Sequence, residues 1–237
     1  MLYILATPIG NLSDVSHRAL EVLRSVDILA CEDTRRTRIL LTHYEIPRHR
    51  TTISYREQTE RRAGQRLISL LEEGHDVVLC SDGGYPGISD PGYRLIAAAI
   101  EHNIEIQILP GASAPTVALL LSGLPTSSST FKGYPPRKAG QLRRFFSDEG
   151  SLPHTLILFE SPFRVAASLA AALEVLGNRR AAVCIELTKK FENVHRGFLS
   201  DLLEHFTDRK VKGEVTIVIA GNNPKFTAPD PNQQQDD

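Results

Sequence analysis

Five short apolar runs, at 2–6 (LYILA), 27–31 (DILAC), 51–55 (TTISY), 76–80 (DVVLC) and 104–109 (IEIQIL), are separated by segments of helix length. Within those segments apolar residues recur at helical spacing. Val15, Ala19, Val22, Leu23 and Val26 share one face, as do Leu67, Ile68 and Leu71, and Leu95, Ile96, Ala99 and Ile100. This alternation constrains the fold more than any other feature of the chain. Parallel strands need crossover connections, and helices in those connections cover both faces of the sheet. The first half therefore predicts an α/β domain with a doubly wound, mostly parallel sheet.

An apolar helix follows over 112–121, and SGLPTSSST (122–130) interrupts the pattern. We read 1–121 as an N-terminal domain, 122–130 as a linker and 131–222 as a C-terminal domain. The second half predicts strands at 130–134, 155–160, 181–187, 192–198 and 214–220, with helices at 138–149, 162–176 and 199–206. The short break between 181–187 and 192–198 implies a hairpin, so this domain is mixed α/β. Residues 223–237 have the composition of a disordered tail.

At 237 residues, with 41% apolar and 23% charged residues, the chain resembles an ordinary globular enzyme with one large or two small cores. No stretch approaches the roughly 20 apolar residues that span a bilayer, so no membrane association is expected. No basic residue precedes Arg18, which argues against a secretory signal. Cys31, Cys80 and Cys184 each end an apolar run without metal-ligand spacing, and read as core residues of a reducing, cytoplasmic compartment.

The net charge of −1 conceals a strong asymmetry. Residues 35–66 hold nine Arg against three Glu, a local +6, and no Lys. Residues 132–144 hold Lys132, Arg137, Lys138, Arg143 and Arg144 with no acid, a local +5. Such segments are either solvated helix faces or a polyanion surface. Arginine in place of lysine suits phosphate forks and base stacking.

Ligands of doubly wound sheets bind beyond the carboxyl ends of the strands. Three loops there are unusual: ATPIGNL (6–12), SDGGYPGISDPG (81–92) and PGAS (110–113), where Ser113 is placed to cap a helix. The sequence has neither G-x-G-x-x-G nor G-x-x-x-x-G-K-[ST], which disfavours dinucleotide and P-loop sites. Residues 81–92 contain no Lys or Arg but do contain Asp82 and Asp90. A site of bare backbone and carboxylate suits a ligand that is neutral or cationic, such as a sulfonium, better than a pyrophosphate.

The ordered fragments LYILATPIGNLSDVSHRALEVL, CEDTRRTRILL, SDGGYPGISDPGYRLI, PGASA, SGLPT, FKGYPPRK, FESPFR, ELTKKFE and VKGEVTIVIAG, from residue 2 to about 221, resemble the small-subunit ribosomal RNA methyltransferase I family. These are cytidine 2′-O-methyltransferases of the tetrapyrrole methylase superfamily. The resemblance implies a two-domain fold that binds S-adenosyl-L-methionine in the interdomain cleft, usually as a homodimer, and that acts on 16S rRNA of the small ribosomal subunit. It places cofactor contacts on Pro8, on Ser81, Asp82 and Gly83 of the second loop, near Tyr85, on Ser113 and Ala114, and on Glu160 and Thr188.

This chain departs from the family pattern at several points. Tyr85 stands in a stretch the family usually writes S-D-A-G-T-P. Arg56-Glu57-Gln58 replaces a frequent His-Glu-His, and Phe163 replaces the histidine of ESPHR. Schemes that rely on those histidines do not transfer. Many relatives also carry a C-terminal extension that this sequence does not show, so the absence of some substrate contact is an expectation here.

A ribose hydroxyl is a poor nucleophile at neutral pH and benefits from a base. Glu32 or Asp33, after the second strand, is placed to be that base, with Arg35, Arg36, Arg38 and Arg56 on RNA phosphates and Arg137 and Lys138 as further RNA contacts. The alternative is that Glu32 and Asp33 cap the next helix or pair with these arginines. Tyr55 and Tyr134 are either base-stacking residues or core residues, Lys189 and Lys190 face RNA or solvent, and His17 is a surface or rim residue. Two other functions fit the same sequence: a porphyrinoid C-methyltransferase and a non-enzymatic RNA-binding protein.

Overall fold

The computed structural model describes residues 1–228 and comprises two compact units, Met1–Ser113 and the chain from Ala114 onward. In the first unit, β1 (Leu2–Leu5), β2 (Ile28–Cys31), β3 (Thr51–Ser54), β4 (Val77–Cys80) and β5 (Ile106–Leu109) alternate with α1 (His17–Ser25), α2 (Thr34–His43), α3 (Glu60–Glu72) and α4 (Tyr93–Glu101). The strands form one parallel sheet in the order β3-β2-β4-β1-β5.

Strand alternation divides the core into two layers. Leu2, Ile4, Ile28, Ala30, Val77 and Leu79 pack with Ala63, Leu67 and Leu71 of α3 and Leu95 and Ala99 of α4. Leu5, Leu29, Cys31, Val78 and Cys80 face the other way, onto Ala19 and Leu23 of α1 and Leu40 and Leu41 of α2. The sheet is doubly wound, as the periodicity predicts, and its central strands β2 and β4 are buried throughout. Register then sets the position of the loops. Leu5 pairs with Cys80 and Leu109, and Cys31 pairs with Cys80 and Ser54, so all five strands end in one row.

The second unit contains α5 (Ala114–Ser122), β6 (Ser129–Phe131), α6 (Ala139–Glu149), β7 (Thr155–Glu160), α7 (Val165–Leu176), β8 (Arg180–Ile185), β9 (Asn193–Phe198), α8 (Leu199–Thr207) and β10 (Val215–Ile219). The sheet order is β6-β7-β10-β8-β9, with β6 parallel to β7 and every other pair antiparallel. The expected hairpin is β8–β9, and the mixed sheet follows the sequence reading. Leu142, Phe146, Leu169, Ala172, Leu202 and Phe206 from α6, α7 and α8 pack on Leu158, Val183 and Ile217.

The two units part at Ser113/Ala114, ahead of the Pro/Ser/Thr stretch. α5 packs against β7, β8, β9 and β10, with Ala118, Leu119 and Ser122 buried. Its apolar face thus belongs to the second core. Residues 223–228, read in the sequence as the start of a tail, have defined structure. Residues 224–226 form a 3-10 turn capped by Asn223, Thr227 bridges Arg179, and the Ala228 N–H donates to the Asn178 carbonyl. The remainder of that predicted tail, 229–237, lies outside the described residues. Among the described residues no helix is long and apolar enough to cross a membrane.

Candidate active site

The three unusual loops are joined at the carboxyl edge of the first sheet. The loop after β1 meets the loop after β4 through an antiparallel bridge, in which Thr7 and Gly84 exchange two backbone hydrogen bonds of 2.9 Å. The Thr7 hydroxyl donates to the Ser81 carbonyl at 3.1 Å, and the buried Ser81 hydroxyl donates to the Gly84 carbonyl at 3.1 Å. Gly84 has φ +81°, a conformation side chains disfavour. Tyr85 ties in the loop after β5, its hydroxyl accepting from the Gly111 N–H at 3.0 Å. Pro8, Ser81, Asp82, Gly83 and Tyr85 therefore share one cluster. Thr7, which holds that cluster together, was not singled out in the sequence. A lone threonine after a strand carries no signal of a bridge to residue 84.

The loop after β2 leads to α2 on one face, and the loop after β4 leads to α4 on the other, so the crevice of this sheet opens between β2 and β4. Asp82 lies across it. One carboxylate oxygen accepts from the Asp33 N–H at 3.1 Å, and the other lies 3.5 Å from Arg36 Nε. Asp33 caps α2, accepting from the Arg35 N–H at 2.8 Å and from its guanidinium at 2.9 and 3.2 Å. The hydrogen bonds from Arg35 hold its carboxyl far below the usual carboxylate range. Of the two candidate bases, Asp33 is thus committed to the helix cap.

Glu32 differs. Its carbonyl accepts from Arg56 Nε at 3.0 Å, but its carboxyl makes no hydrogen bond or ion pair among the described residues. Burial pushes its pKa up, and Asp90 and Asp82 push it further, against the opposing charges of Arg36 and Arg56. A half-buried, unpaired carboxyl of raised proton affinity at the sheet crevice is suited to accept a proton.

Tyr55 is a core residue, 1% exposed, and stacks on nothing outside the fold. Its hydroxyl lies 3.2 Å from Glu60, and the same carboxylate oxygen accepts from the Gly92 N–H at 3.3 Å, while Arg94 pairs with the other at 3.6 Å. Glu60, read in the sequence only as part of a charge run, thereby braces the end of the 81–92 loop. A Cβ at Gly92 would fall 2.6 Å from the Gly87 nitrogen, so that end of the loop must be glycine. Glu60→Ala is expected to cost about 1–3 kcal/mol by leaving the Tyr55 hydroxyl and Gly92 N–H unpaired. It should also speed amide exchange at Gly92, and Glu60→Gln should recover most of both. Denaturant melts and residue-resolved hydrogen exchange measure the pair of effects.

In the second unit, Glu160 ends β7 with a fully buried side chain. It accepts from the Ser161 N–H at 2.7 Å and from the Ser168 hydroxyl, and it pairs with Arg164 at 3.3 Å. Arg164 also donates to the Pro136 carbonyl at 2.7 Å. Thr188, in the β8–β9 loop, has φ +63° and a buried hydroxyl with no hydrogen-bond partner. Such a hydroxyl is uncommon without a role. Lys189 is held by Glu186 at 2.8 Å and Glu214 at 3.0 Å, whereas Lys190 lies exposed over Phe191. Arg137, Lys138 and Tyr134 are exposed, Ser113 ends the first unit, and Ala114 opens α5. His17 is exposed and pairs with Glu21.

Residues 1–203 match the model of the tetrapyrrole (corrin/porphyrin) methylases. The solved structure of the methyltransferase CobJ is similar at a TM-score of 0.70 and 16% identity, over 93% of this chain and 94% of that one. Uroporphyrin-III C-methyltransferase from Thermus thermophilus, complexed with S-adenyl homocysteine, matches at 0.60 and 17%, over 92% and 96%. Fold and family model together define a protein of the tetrapyrrole methylase type. A Mesorhizobium japonicum protein named ribosomal RNA small subunit methyltransferase I is 47% identical over 230 residues, 96% of this chain and 78% of that protein. Its namesake from Halalkalibacterium halodurans is 43% identical over 224 residues, 94% of this chain and 77% of that protein. The chain belongs to the ribosomal RNA small subunit methyltransferase I family.

Proposed function

We propose that this chain transfers a methyl group from S-adenosylmethionine to the 2′-hydroxyl of a cytidine ribose in 16S rRNA of the small ribosomal subunit, in the cytoplasm and as a homodimer. The observation that carries the reading is Glu32, an unpaired carboxyl of raised proton affinity at the carboxyl edge, in a family named for rRNA methylation.

The residues present fit the cofactor. In the first unit, bare backbone at Gly83 and the Asp82 carboxylate suit a sulfonium: the 81–92 loop holds no Lys or Arg, and Arg36, 3.5 Å from Asp82, is offset by that carboxylate. In the second unit, the orphaned Thr188 hydroxyl supplies an unused donor and acceptor. Bound S-adenosylmethionine would supply an electrophilic methyl group, so the protein's task is to orient and to move a proton. Pro8, Ser81, Asp82, Gly83, Tyr85, Ser113, Ala114 and Thr188 hold the cofactor. Glu160 takes part through its backbone, since its carboxylate is consumed within the fold. Glu32 accepts the ribose hydroxyl proton, and Arg35, Arg36, Arg38, Arg56, Arg137 and Lys138 contact RNA.

Labelled methyl transfer to three acceptors tests this reading: small subunits lacking the modification, the same RNA stripped of protein, and uroporphyrinogen. Label at a cytidine 2′-oxygen supports it. Label only in the porphyrinogen makes the chain a porphyrinoid methylase, and RNA binding without any label makes it a binding protein on a methylase frame.

A further inference from the structure

α2 starts after β2 and α3 starts after its neighbour, the edge strand β3, at the same carboxyl edge but on opposite faces of the sheet, and arginines stand in the first turn of each. α2 brings Arg35, Arg36 and Arg38 on one face, α3 brings Arg61, Arg62 and Arg66 on the other, and Arg56 lies in the turn between β3 and α3. Arg38, Arg61, Arg62 and Arg66 are exposed, and none has a carboxylate within salt-bridge distance among the described residues.

This arrangement works against the helices that carry it. A helix N-terminus is electropositive and favours acids, while its C-terminus favours bases. α3 has the reverse order. Arg61 and Arg62 occupy its first turn, Glu72 and Glu73 stand at its end, and Glu60 is spent on Tyr55, Gly92 and Arg94. Arg62 and Arg66 also stand one turn apart on the face opposite Ala63, Leu67 and Leu71, a repulsive spacing for like charges. The neighbours placed to offset them are Gln58, Thr59, Gln65, Ser69 and Leu70, none of them acidic. α2 has no acid within its first turn, and the Asp33 that caps it is taken up by Arg35.

A charge pattern that opposes its own scaffold on α3, beside the exposed Arg38 of α2 at the same sheet edge, points to an external polyanion. We propose that the corner formed by Arg38, Arg61, Arg62 and Arg66 is a phosphate track for the RNA strand flanking the nucleotide to be methylated. The proposal rests on the rRNA reading and extends it to residues remote from the methyl-transfer residues. RNA is favoured over an acidic protein because the segment is all arginine, whose planar fork matches phosphate oxygens. The track also runs directly into the candidate site, since Arg56 between the two helices is bonded to the Glu32 carbonyl.

The experiment measures binding of full-length protein to protein-free 16S rRNA as a function of salt. For Arg61→Ala/Arg62→Ala/Arg66→Ala, the slope of log K against log salt is expected to fall in magnitude by about 2, from three contacts at about 0.7 each. S-adenosylmethionine affinity should be unchanged and the melting temperature no lower than the parent's. The control Arg24→Gln/Arg48→Gln removes two charges at the opposite, amino edge and should leave the slope in place. An unchanged slope in the triple variant, or an equal fall in the control, overturns the proposal. So does loss of binding to intact subunits with binding to naked RNA intact, which would assign the corner to a subunit protein. The two readings fail separately: RNA methylation with an unaltered slope removes only the track, and an arginine-dependent slope without methylation removes only the enzyme.

Discussion

Glu32→Gln is expected to lower kcat for methyl transfer by about 10²–10⁴-fold, the range for loss of a general base. KM for S-adenosylmethionine should stay within a few-fold, because Glu32 makes none of the proposed cofactor contacts. The pH profile carries the sharper signature. Burial, then Asp90 and Asp82, raise the Glu32 pKa, and only the ionised form accepts a proton. The acid limb of kcat should therefore lie above the ordinary glutamate value of about 4.3, with activity rising as pH rises through it. The glutamine variant should lack that limb.

The same shift has a sign for stability. A folded-state pKa above the unfolded one contributes stability that is present below the unfolded pKa and lost as pH rises through the folded pKa. At neutral pH the ionised carboxylate is therefore a small burden on the fold, and Glu32→Gln should melt no lower than the parent. A variant that loses activity and melts several degrees lower would make Glu32 a structural residue. Asp33→Ala should behave in the opposite way, weakening the α2 cap while lowering kcat less than tenfold.

Glu160→Ala is expected to destabilise the second unit by about 3–5 kcal/mol, the cost of breaking a buried ion pair by removing one partner. The change strands Arg164 and leaves the Ser161 N–H and the Ser168 hydroxyl unpaired at the end of β7. At about 2–4 °C per kcal/mol for a chain of this size, calorimetry should show a fall of roughly 6–20 °C. Cofactor affinity, measured well below that transition, should change little, since the carboxylate has no open face. A large loss of affinity in still-folded protein would mean that the side chain itself reaches the cofactor.

Several site residues could be placed from the sequence because the cue was local. Asp33 precedes an arginine-rich helix at the N-cap position, and capping was one of its two readings. The 81–92 loop was conspicuous because its residues are small over many consecutive positions. Glu60, Thr7 and Ser168 gave no such cue. Each acts through hydrogen bonds to groups outside its own turn of chain, and a single polar residue in a loop or helix looks the same with or without those partners. Tyr55 illustrates the converse. Beside Arg56 it read equally as a stacking or a core residue, and the hydrophobic layer under α3 and α4 decides for the core.

By itself the sequence determined the two layered domains, the strand order class and the edge at which the chemistry gathers. Apolar periodicity is a property of consecutive residues, and alternating strand and helix periods call for a parallel sheet covered by helices. The tertiary structure alone decided that α5 belongs to the second core and that Glu32, not Asp33, keeps a free carboxyl. It also decided that, among the described residues, no carboxylate from elsewhere in the fold pairs with Arg62 or Arg66. Burial and proton affinity are set by the field of residues brought together across the sheet, here Asp82 and Asp90 from the far side of the β2–β4 crevice. That field has no counterpart along the chain.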